Sequence, residues 1–413
     1  MNPEGPTPPG AGAPAAPPPA TGAWREGDPP GRRQWHQPVR ELPLEAGGRL
    51  PGVTLAFETW GRLAPDASNA VLVLHALTGD SHVAGPAGPG HPTAGWWDGL
   101  VGPGLALDTD RWFVVAPNVL GGCQGSTGPA SPRPDGRRWA GSFPRLTQRD
   151  QVRAEAGLAE ALGIDRWALV VGGSMGGMRA LEWAVSFPRR VEALLLLACP
   201  AAASADQIAW TSAQLHAIRA DPHWRGGDYH EAGPGRGPHT GLGIARRIAH
   251  TTYRAAGELE ARFGHRPQDL EDPWLGGRYQ VESYLDHQAA KLVGRFDAAS
   301  YVVLCEAMNA HDVGRGRGGT RAALGRVEAR TLVAGVDSDR LYPLSQQEEL
   351  AAGIPSADGV RVIASPFGHD GFLIETEQVA ALVGELLDGG DATGRAPTPR
   401  HGQSSREHLN SRN

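Results

Sequence analysis

The chain has 413 residues, with 39 basic against 45 acidic side chains and a formal net charge of −6. That balance excludes a generally basic nucleic-acid binder and leaves only a local basic site open. Apolar residues make up 40 % of the chain, enough for a sizeable core, yet no apolar run reaches the ~18–20 residues that a membrane helix needs.

In chain order, residues 1–22 are almost entirely Pro, Ala and Gly, and a disordered leader is expected over residues 1–34. The segment 389–413 reads as a disordered tail for the same reason. Between them, short apolar runs end in Gly-rich turns. Ala70–Leu74, Trp112–Ala116, Trp167–Val171, Val191–Leu197, Thr331–Ala334 and Val360–Ile363 are predicted strands. Several are apolar on both faces, as in a sheet covered on each side. Helices are predicted over Gln151–Leu162, Gly177–Ser186 and Tyr301–Ala310. The strand–helix alternation argues for an α/β fold with a mostly parallel sheet, its first part at 35–203 and its second at 320–388. Residues 204–319 break the alternation and are expected to form a helical lid over the end of the sheet. Within it, Gly226–Gly243 is too rich in Gly and Pro for regular structure.

The strongest local signal is Gly172-Gly173-Ser174-Met175-Gly176-Gly177. It satisfies G-x-S-x-G between a predicted strand and a predicted helix, the context of a nucleophile elbow. The serine must sit on a sharp turn to project its hydroxyl, and side chains at Gly172 and Gly176 would collide with the neighbouring strand and helix. The Met175 N–H then opens a helix, where it can stabilise an oxyanion. A second donor is expected from the loop Leu74–Gly79, with the Leu77 N–H as candidate and His75 shaping the loop. Serine needs a base, and the base an acid to orient it. In the order Ser, acid, His, Asp337 or Asp339 supplies the acid and His369 the base, each just past a strand end. Spacing alone does not choose between the two aspartates.

Six ordered motifs, HALTGDSHVAG (75–85), GWWDGLVGPG (95–104), NVLGGCQGSTGP (118–129), GGSMGGMRALEWA (172–184), GVDSDRLYP (335–343) and SPFGHDGFLIE (365–375), together resemble the homoserine O-acyltransferases of the α/β-hydrolase fold. The resemblance spans about residues 38–387. It implies Ser174 as acyl acceptor, His369 as general base and Asp339 as the triad acid. It also implies that Arg246, in Ala245–Tyr253, binds the amino-acid carboxylate and that Asp370 holds the ammonium. Arg246, His250 and Tyr253 are spaced to share one helix face, which adds Tyr253 to the substrate-binding set. The implied reaction is ping-pong: an acyl-serine forms from acyl-CoA and passes to the L-homoserine hydroxyl, opening methionine biosynthesis. Succinyl-transferring relatives tend to carry arginine two positions after the acid; here that position is Leu341, which favours acetyl, with Arg340 pointing elsewhere. Acetyl-CoA is then a co-substrate, with no permanently bound cofactor, and a homodimer through the lid is a further implication. Residues that bind CoA are not identified by the motifs.

Other signals are discounted. Gly314–Gly319 matches G-x-G-x-x-G but follows a predicted helix, not a strand, so it is no dinucleotide site. Its arginines, Arg315 and Arg317, with Arg321 beyond, read as a solvated loop before they read as CoA-phosphate ligands. Cys123 reads as a packing residue, and Trp96 and Trp97 as packing or wall residues. Three spaced cysteines, Cys123, Cys199 and Cys305, give neither a disulfide framework nor a zinc pattern. No metal, nucleic acid or membrane is expected, and a cytoplasmic protein is, since no signal segment opens the chain. The alternatives are a homoserine O-succinyltransferase, a serine O-acyltransferase, a serine esterase or peptidase with the same triad, and a non-catalytic binding protein.

Overall fold

Five-residue runs of unbroken apolar character, buried on both faces, can only sit in the middle of a covered sheet. The computed structural model, which describes residues 17–388, has eight such or neighbouring strands. They are β1 (Gln34–Pro43), β2 (Arg49–Trp60), β3 (Ala70–Leu74), β4 (Phe113–Pro117), β5 (Leu169–Gly173), β6 (Ala193–Leu197), β7 (Arg330–Val336) and β8 (Val360–Ile363). Their spatial order is β1-β2-β4-β3-β5-β6-β7-β8. The six strands from β3 onward run parallel, and β1 and β2 add antiparallel at one edge. This is an α/β-hydrolase sheet.

Those two antiparallel strands were not anticipated. β1 (QWHQPVRELP) is mostly polar and largely exposed. It carries Pro38 and a register shift between His36 and Val39, both typical of an edge strand. β5 begins two residues later than expected: Trp167 makes only an isolated bridge to Val191, and the strand runs on through Gly172 and Gly173.

The helices are α1 (Gln148–Ala161), α2 (Met175–Ser186), α3 (Ala205–Arg219), α4 (His239–Tyr253), α5 (Ala256–Phe263), α6 (Gln280–Val293), α7 (Ala298–Asn309), α8 (Thr320–Leu324), α9 (Leu344–Gly353), α10 (Gly371–Ile374) and α11 (Thr376–Asp388). α1 starts three residues before the periodic pattern because Thr147 and Asp150 close a capping box. Ser204 and Gln207 do the same for α3. α4 corrects the expectation of irregular chain up to Gly243: it starts at His239, directly after Pro238. Helices α3, α4, α6 and α7 pack on one another. They share a core, with Leu215, Leu242 and Tyr301 meeting Leu77, Val119 and Met175. The insertion therefore covers the C-terminal ends of the strands.

The leader is also corrected over part of its length. Residues 1–16 lie outside the described residues, as does the tail 389–413, but the chain from Pro17 is packed. Ala20 and Ala23 are buried. The Gly22 N–H donates to the Phe296 carbonyl at 3.2 Å and the Trp24 N–H to the Cys123 carbonyl at 2.9 Å. The Thr21 hydroxyl donates to Asp297 Oδ1 at 2.7 Å. A Cβ on Gly22 would lie 2.4 Å from the Phe296 nitrogen, so this contact requires glycine. Composition alone hid that the segment has a groove to fill.

Behind the sheet's active end lies a buried network. Arg179 on α2 bonds Glu155 on α1 at 2.6 Å and the His75 carbonyl at 2.7 Å. Trp183 Nε1–H donates to the other Glu155 oxygen at 2.8 Å. Removing one partner from such a buried pair costs about 3–5 kcal/mol. His75 itself donates from Nδ1 to the Ala76 carbonyl at 2.8 Å and accepts the Val119 N–H on Nε2 at 3.0 Å. It is a neutral clamp on the loop after β3, as its place in the sequence suggests.

Three buried histidines are held neutral. Burial pushes the pKa of His75 down to about 3, that of His250 to about 3 and that of His311 to about 4. Each sits below its unfolded value of about 6.5, so the unfolded chain binds more protons and stability falls as pH drops below that value. The melting temperature should therefore decline between about pH 6.5 and pH 4.5. His311→Gln keeps a donor for the Pro200 carbonyl, which His311 Nε2 bonds at 3.1 Å, and should flatten that decline. An unchanged slope in this variant, measured by circular dichroism, would contradict the assignment.

Candidate active site

β5 runs straight into a turn that only a special backbone can make. Ser174 has φ 56° and ψ −124°, a conformation that costs a non-glycine residue about 1–3 kcal/mol. Its surroundings enforce it. A Cβ on Gly172 would lie 2.4 Å from the Gly176 backbone, and one on Gly176 would lie 2.0 Å from the Leu74 oxygen. Helix and strands thus approach more closely than any side chain allows. The Ser174 N–H donates to the Leu197 carbonyl at 2.9 Å, and its carbonyl accepts the Met178 N–H at 3.0 Å. α2 starts at Met175, two residues earlier than expected, so the Met175 N–H is the first of the helix and has no intrahelical acceptor. Leu77 lines the same cavity as Ser174.

The two candidate acids separate cleanly. Asp339 Oδ2 lies 2.6 Å from His369 Nδ1, while Oδ1 accepts the Leu341 and Tyr342 N–H groups at 2.8 and 2.9 Å. Asp337 instead accepts the Ser365 N–H at 3.0 Å and ties the ends of β7 and β8 together. His369 stands in a single helical turn, Gly368–Asp370. Gly368 has φ 68°, and a Cβ there would lie 2.6 Å from the Tyr253 oxygen, so glycine admits α4 to the site. The rings of Tyr342, Phe372 and Tyr253 lie 4.8, 5.3 and 5.8 Å from that of His369. Ser174 and His369 line one cavity of about 350 Å³. No hydrogen bond joins the Ser174 hydroxyl to the His369 ring, a bond that is often loose before substrate arrives.

Arg246, His250 and Tyr253 all face this cavity, as does Asp370. The Arg246 guanidinium stands 5.6 Å from the Tyr253 ring centre, and its buried Nε has no hydrogen-bond partner. Asp370 is met by Arg254 at 3.5 Å. Burial raises the Asp370 pKa, against the pull of Arg246, His369 and Arg254. His250 Nε2 meets the Tyr284 hydroxyl at 2.5 Å, and with its low pKa it is no base at neutral pH. Arg254 escaped the sequence reading. It is buried, pairs with Glu258 through two bonds of 3.2 and 2.7 Å, and braces Asp370. Nothing distinguishes it in sequence from its neighbour Arg247, which pairs with Asp286.

A second, smaller cavity of about 30 Å³ opens beside Ser174, walled by Leu77, Trp210, Met308, Leu341 and Tyr342 among others, with no charged side chain in its lining. That is about the room one water or methyl group needs. Arg340 is not among the cavity's lining residues; its guanidinium stands 5.9 Å from the ring centre of Trp210, one of the walls.

The remaining signals resolve structurally. Arg317 bonds Glu182 and the Ser186 hydroxyl, and Arg315 bonds Glu45. Arg317 is thus held at the end of α2 remote from Ser174, and Arg315, itself exposed, pairs in the turn between β1 and β2. Cys123 is buried, and burial raises its pKa to about 12. Trp97 is buried, whereas Trp96 lines the cavity and donates to the Asp80 carbonyl at 2.9 Å. Glu58, His82 and His91 form a buried cluster with metal-ligand spacing. Its two imidazoles, however, stack 3.8 Å apart at 8°, so their in-plane lone pairs lie in parallel planes and do not converge. Glu58 accepts the Ser81 hydroxyl at 2.8 Å and His82 Nδ1–H at 3.1 Å. Burial alone would lower the His82 pKa; Glu58 outweighs it and the pKa is raised. The cluster bolts the loop after β3 to β2.

The sheet order, the strained serine and the Asp–His pair define the class: an α/β-hydrolase. The family model for the alpha/beta hydrolase fold matches residues 69–376. A homoserine O-acetyltransferase of Thermobifida fusca is 70 % identical over 89 % of this chain and 97 % of its own length. Among solved structures, homoserine O-acetyltransferase from Bacillus anthracis superposes with TM-score 0.78 at 28 % identity, over 86 % of this chain and 97 % of that one. An acetylester hydrolase from Corynebacterium glutamicum gives TM-score 0.74 at 27 % identity, over 87 % and 97 %. The chain belongs to the homoserine O-acetyltransferase family.

If the hydrogen bonds assign the acid correctly, Asp339→Asn should lower kcat by about 10³–10⁴-fold, with Asp337→Asn within a fewfold of the parent. Comparable losses in both variants, at equal thermal stability, would contradict it.

Proposed function

We propose that the chain is a homoserine O-acetyltransferase that moves the acetyl group of acetyl-CoA to the hydroxyl of L-homoserine through an acetyl-serine. His369, oriented by Asp339, takes the Ser174 proton as the hydroxyl attacks the thioester. The Leu77 and Met175 N–H groups hold the tetrahedral oxyanion, and CoA leaves with a proton from His369. Homoserine then enters, His369 takes its hydroxyl proton as the oxygen attacks the acetyl carbon, and the Ser174 oxygen leaves with that proton from His369. The methyl-sized, uncharged cavity at Leu341 supports acetyl over succinyl, whose second carboxylate would find no cation there. CoA serves as co-substrate, and the steps call on no permanently bound group.

The observation that carries this reading against an esterase is the Arg246–Asp370 pair. An unpartnered guanidinium and a carboxylate face the cavity of the nucleophile, matching the two charges of an amino acid. Tyr253 supports the Arg246 guanidinium by its ring face. Helices of the insertion act as a lid that limits water, the competing acceptor. Among the described residues the insertion also holds six of the nine large exposed apolar side chains, Ile208, Trp210, Ile244, Leu270, Trp274 and Leu275, which supports a homodimer through the insertion. Among the described residues no helix is long and apolar enough to cross a membrane. Three unpaired buried cysteines fit a reducing cytoplasm.

Thiol release from acetyl-CoA should depend on homoserine, exceed that with serine or water, and vanish in Ser174→Ala; release indifferent to homoserine would favour the esterase. Arg246→Ala should raise the homoserine KM by tenfold or more while thiol release with water is retained. The raised Asp370 pKa means that acidification neutralises this carboxylate earlier than an ordinary aspartate. The homoserine KM should therefore climb on acidification at a higher pH than titration of an ordinary aspartate would produce, and Asp370→Asn should abolish that dependence. A KM flat with pH in the parent protein would remove the ammonium role.

A further inference from the structure

Of the 39 basic residues, 38 are arginine and one, Lys291, is lysine. That single lysine stands near the end of α6 and lines the cavity that holds Ser174 and His369. It is exposed and makes no ion pair or hydrogen bond among the described residues. Four residues on, just past the end of α6, Arg295 lines the same cavity, and its guanidinium donates to the Thr78 carbonyl at 2.8 Å without a carboxylate in ion-pair range. Exposure orders the cavity by depth: Lys291 is open, Arg246 and Arg295 are half-buried, and Ser174 is buried. Arg254, the fourth cation of the lining, is already neutralised by Glu258.

A chain of net charge −6 thus keeps unpaired positive charge at the mouth of its cavity as well as on its floor. The floor cation, Arg246, is matched to a planar carboxylate. A lysine at the rim is a different tool: a compact point charge with three rotatable donors on a flexible stem. It suits a non-planar phosphate that arrives in variable orientation. A donor whose thioester reaches Ser174 must leave its phosphates outside, where Lys291 stands. We propose that Lys291, seconded by Arg295, binds the diphosphate of the acyl-CoA donor and so forms a phosphate subsite on α6. This rests on acetyl-CoA being the donor, as set out above.

The test compares two donors that share a thioester and differ in phosphates: acetyl-CoA and S-acetyl-N-acetylcysteamine. Lys291→Ala should raise the acetyl-CoA KM by about tenfold, Lys291→Glu by more, and Lys291→Arg by little. In all three variants the KM for the phosphate-free donor and for homoserine should stay within twofold. Because this is the only lysine, an amine-selective acylating reagent should add one label besides that on the N-terminus, and CoA should protect the lysine from it. An unchanged acetyl-CoA KM in Lys291→Glu, or equal losses with both donors, would overturn the subsite. Failure of the parent protein to use acetyl-CoA at all would instead overturn the donor assignment.

Discussion

One turn of backbone sets the terms for the rest of the molecule. Ser174 is held at a positive φ that serine disfavours, at a cost of about 1–3 kcal/mol. The turn persists because the structure on both sides over-determines it. Its N–H is bonded to the Leu197 carbonyl at the end of β6, and its carbonyl is the first acceptor of α2. Glycines at 172 and 176 let the strand ends and the helix meet at distances no Cβ would tolerate. The same bend delivers Ser174 to the cavity and starts α2 on the next residue.

Around that bend, groups with opposite requirements are kept apart by burial. Asp339 is buried and spends both oxygens, one on His369 and one on backbone N–H groups. These bonds fix its carboxylate against the imidazole. Asp370, one residue after His369, has its pKa raised by burial, is met by Arg254 and lines the cavity. His75 and His250 are held neutral in the same region, while His369 is the ring that Asp339 orients in the cavity of Ser174. The insertion completes the separation: α4 brings Arg246 to the large cavity, α6 brings Lys291, and α3 and α7 wall the small cavity beside Ser174.

Legibility in the sequence followed the range of the interactions. The elbow was readable because its requirement is local, a serine between glycines with a strand before and a helix after. The buried strands were readable because both faces are apolar. β1 was not, because an edge strand is half solvated and its polar residues carry no buried pattern. The packed part of the leader was missed because its binding groove, at Phe296, Asp297 and Cys123, lies far along the chain. α4 was cut short in the reading because glycines at 241 and 243 lower helix propensity; close packing rewards them, since a Cβ on Gly241 would strike Ala217 and Ile218 of α3.

Residue types and their order were enough to establish an α/β chain with a serine elbow, a base past the last strand and two aspartates competing for the acid. The resemblance of six motifs then favoured one of them and named an amino-acid site. Which carboxylate meets His369 was a matter of a few tenths of a nanometre between residues 30 positions apart, and only the packed loops after β7 and β8 express it. Arg254 reaching Asp370 across 116 positions, and the lone lysine coming to rest at the cavity mouth, are likewise products of how α4, α5 and α6 fold over the sheet. Local spacing encodes torsions and periodicity; which charges end up without a partner depends on the packing of the whole chain.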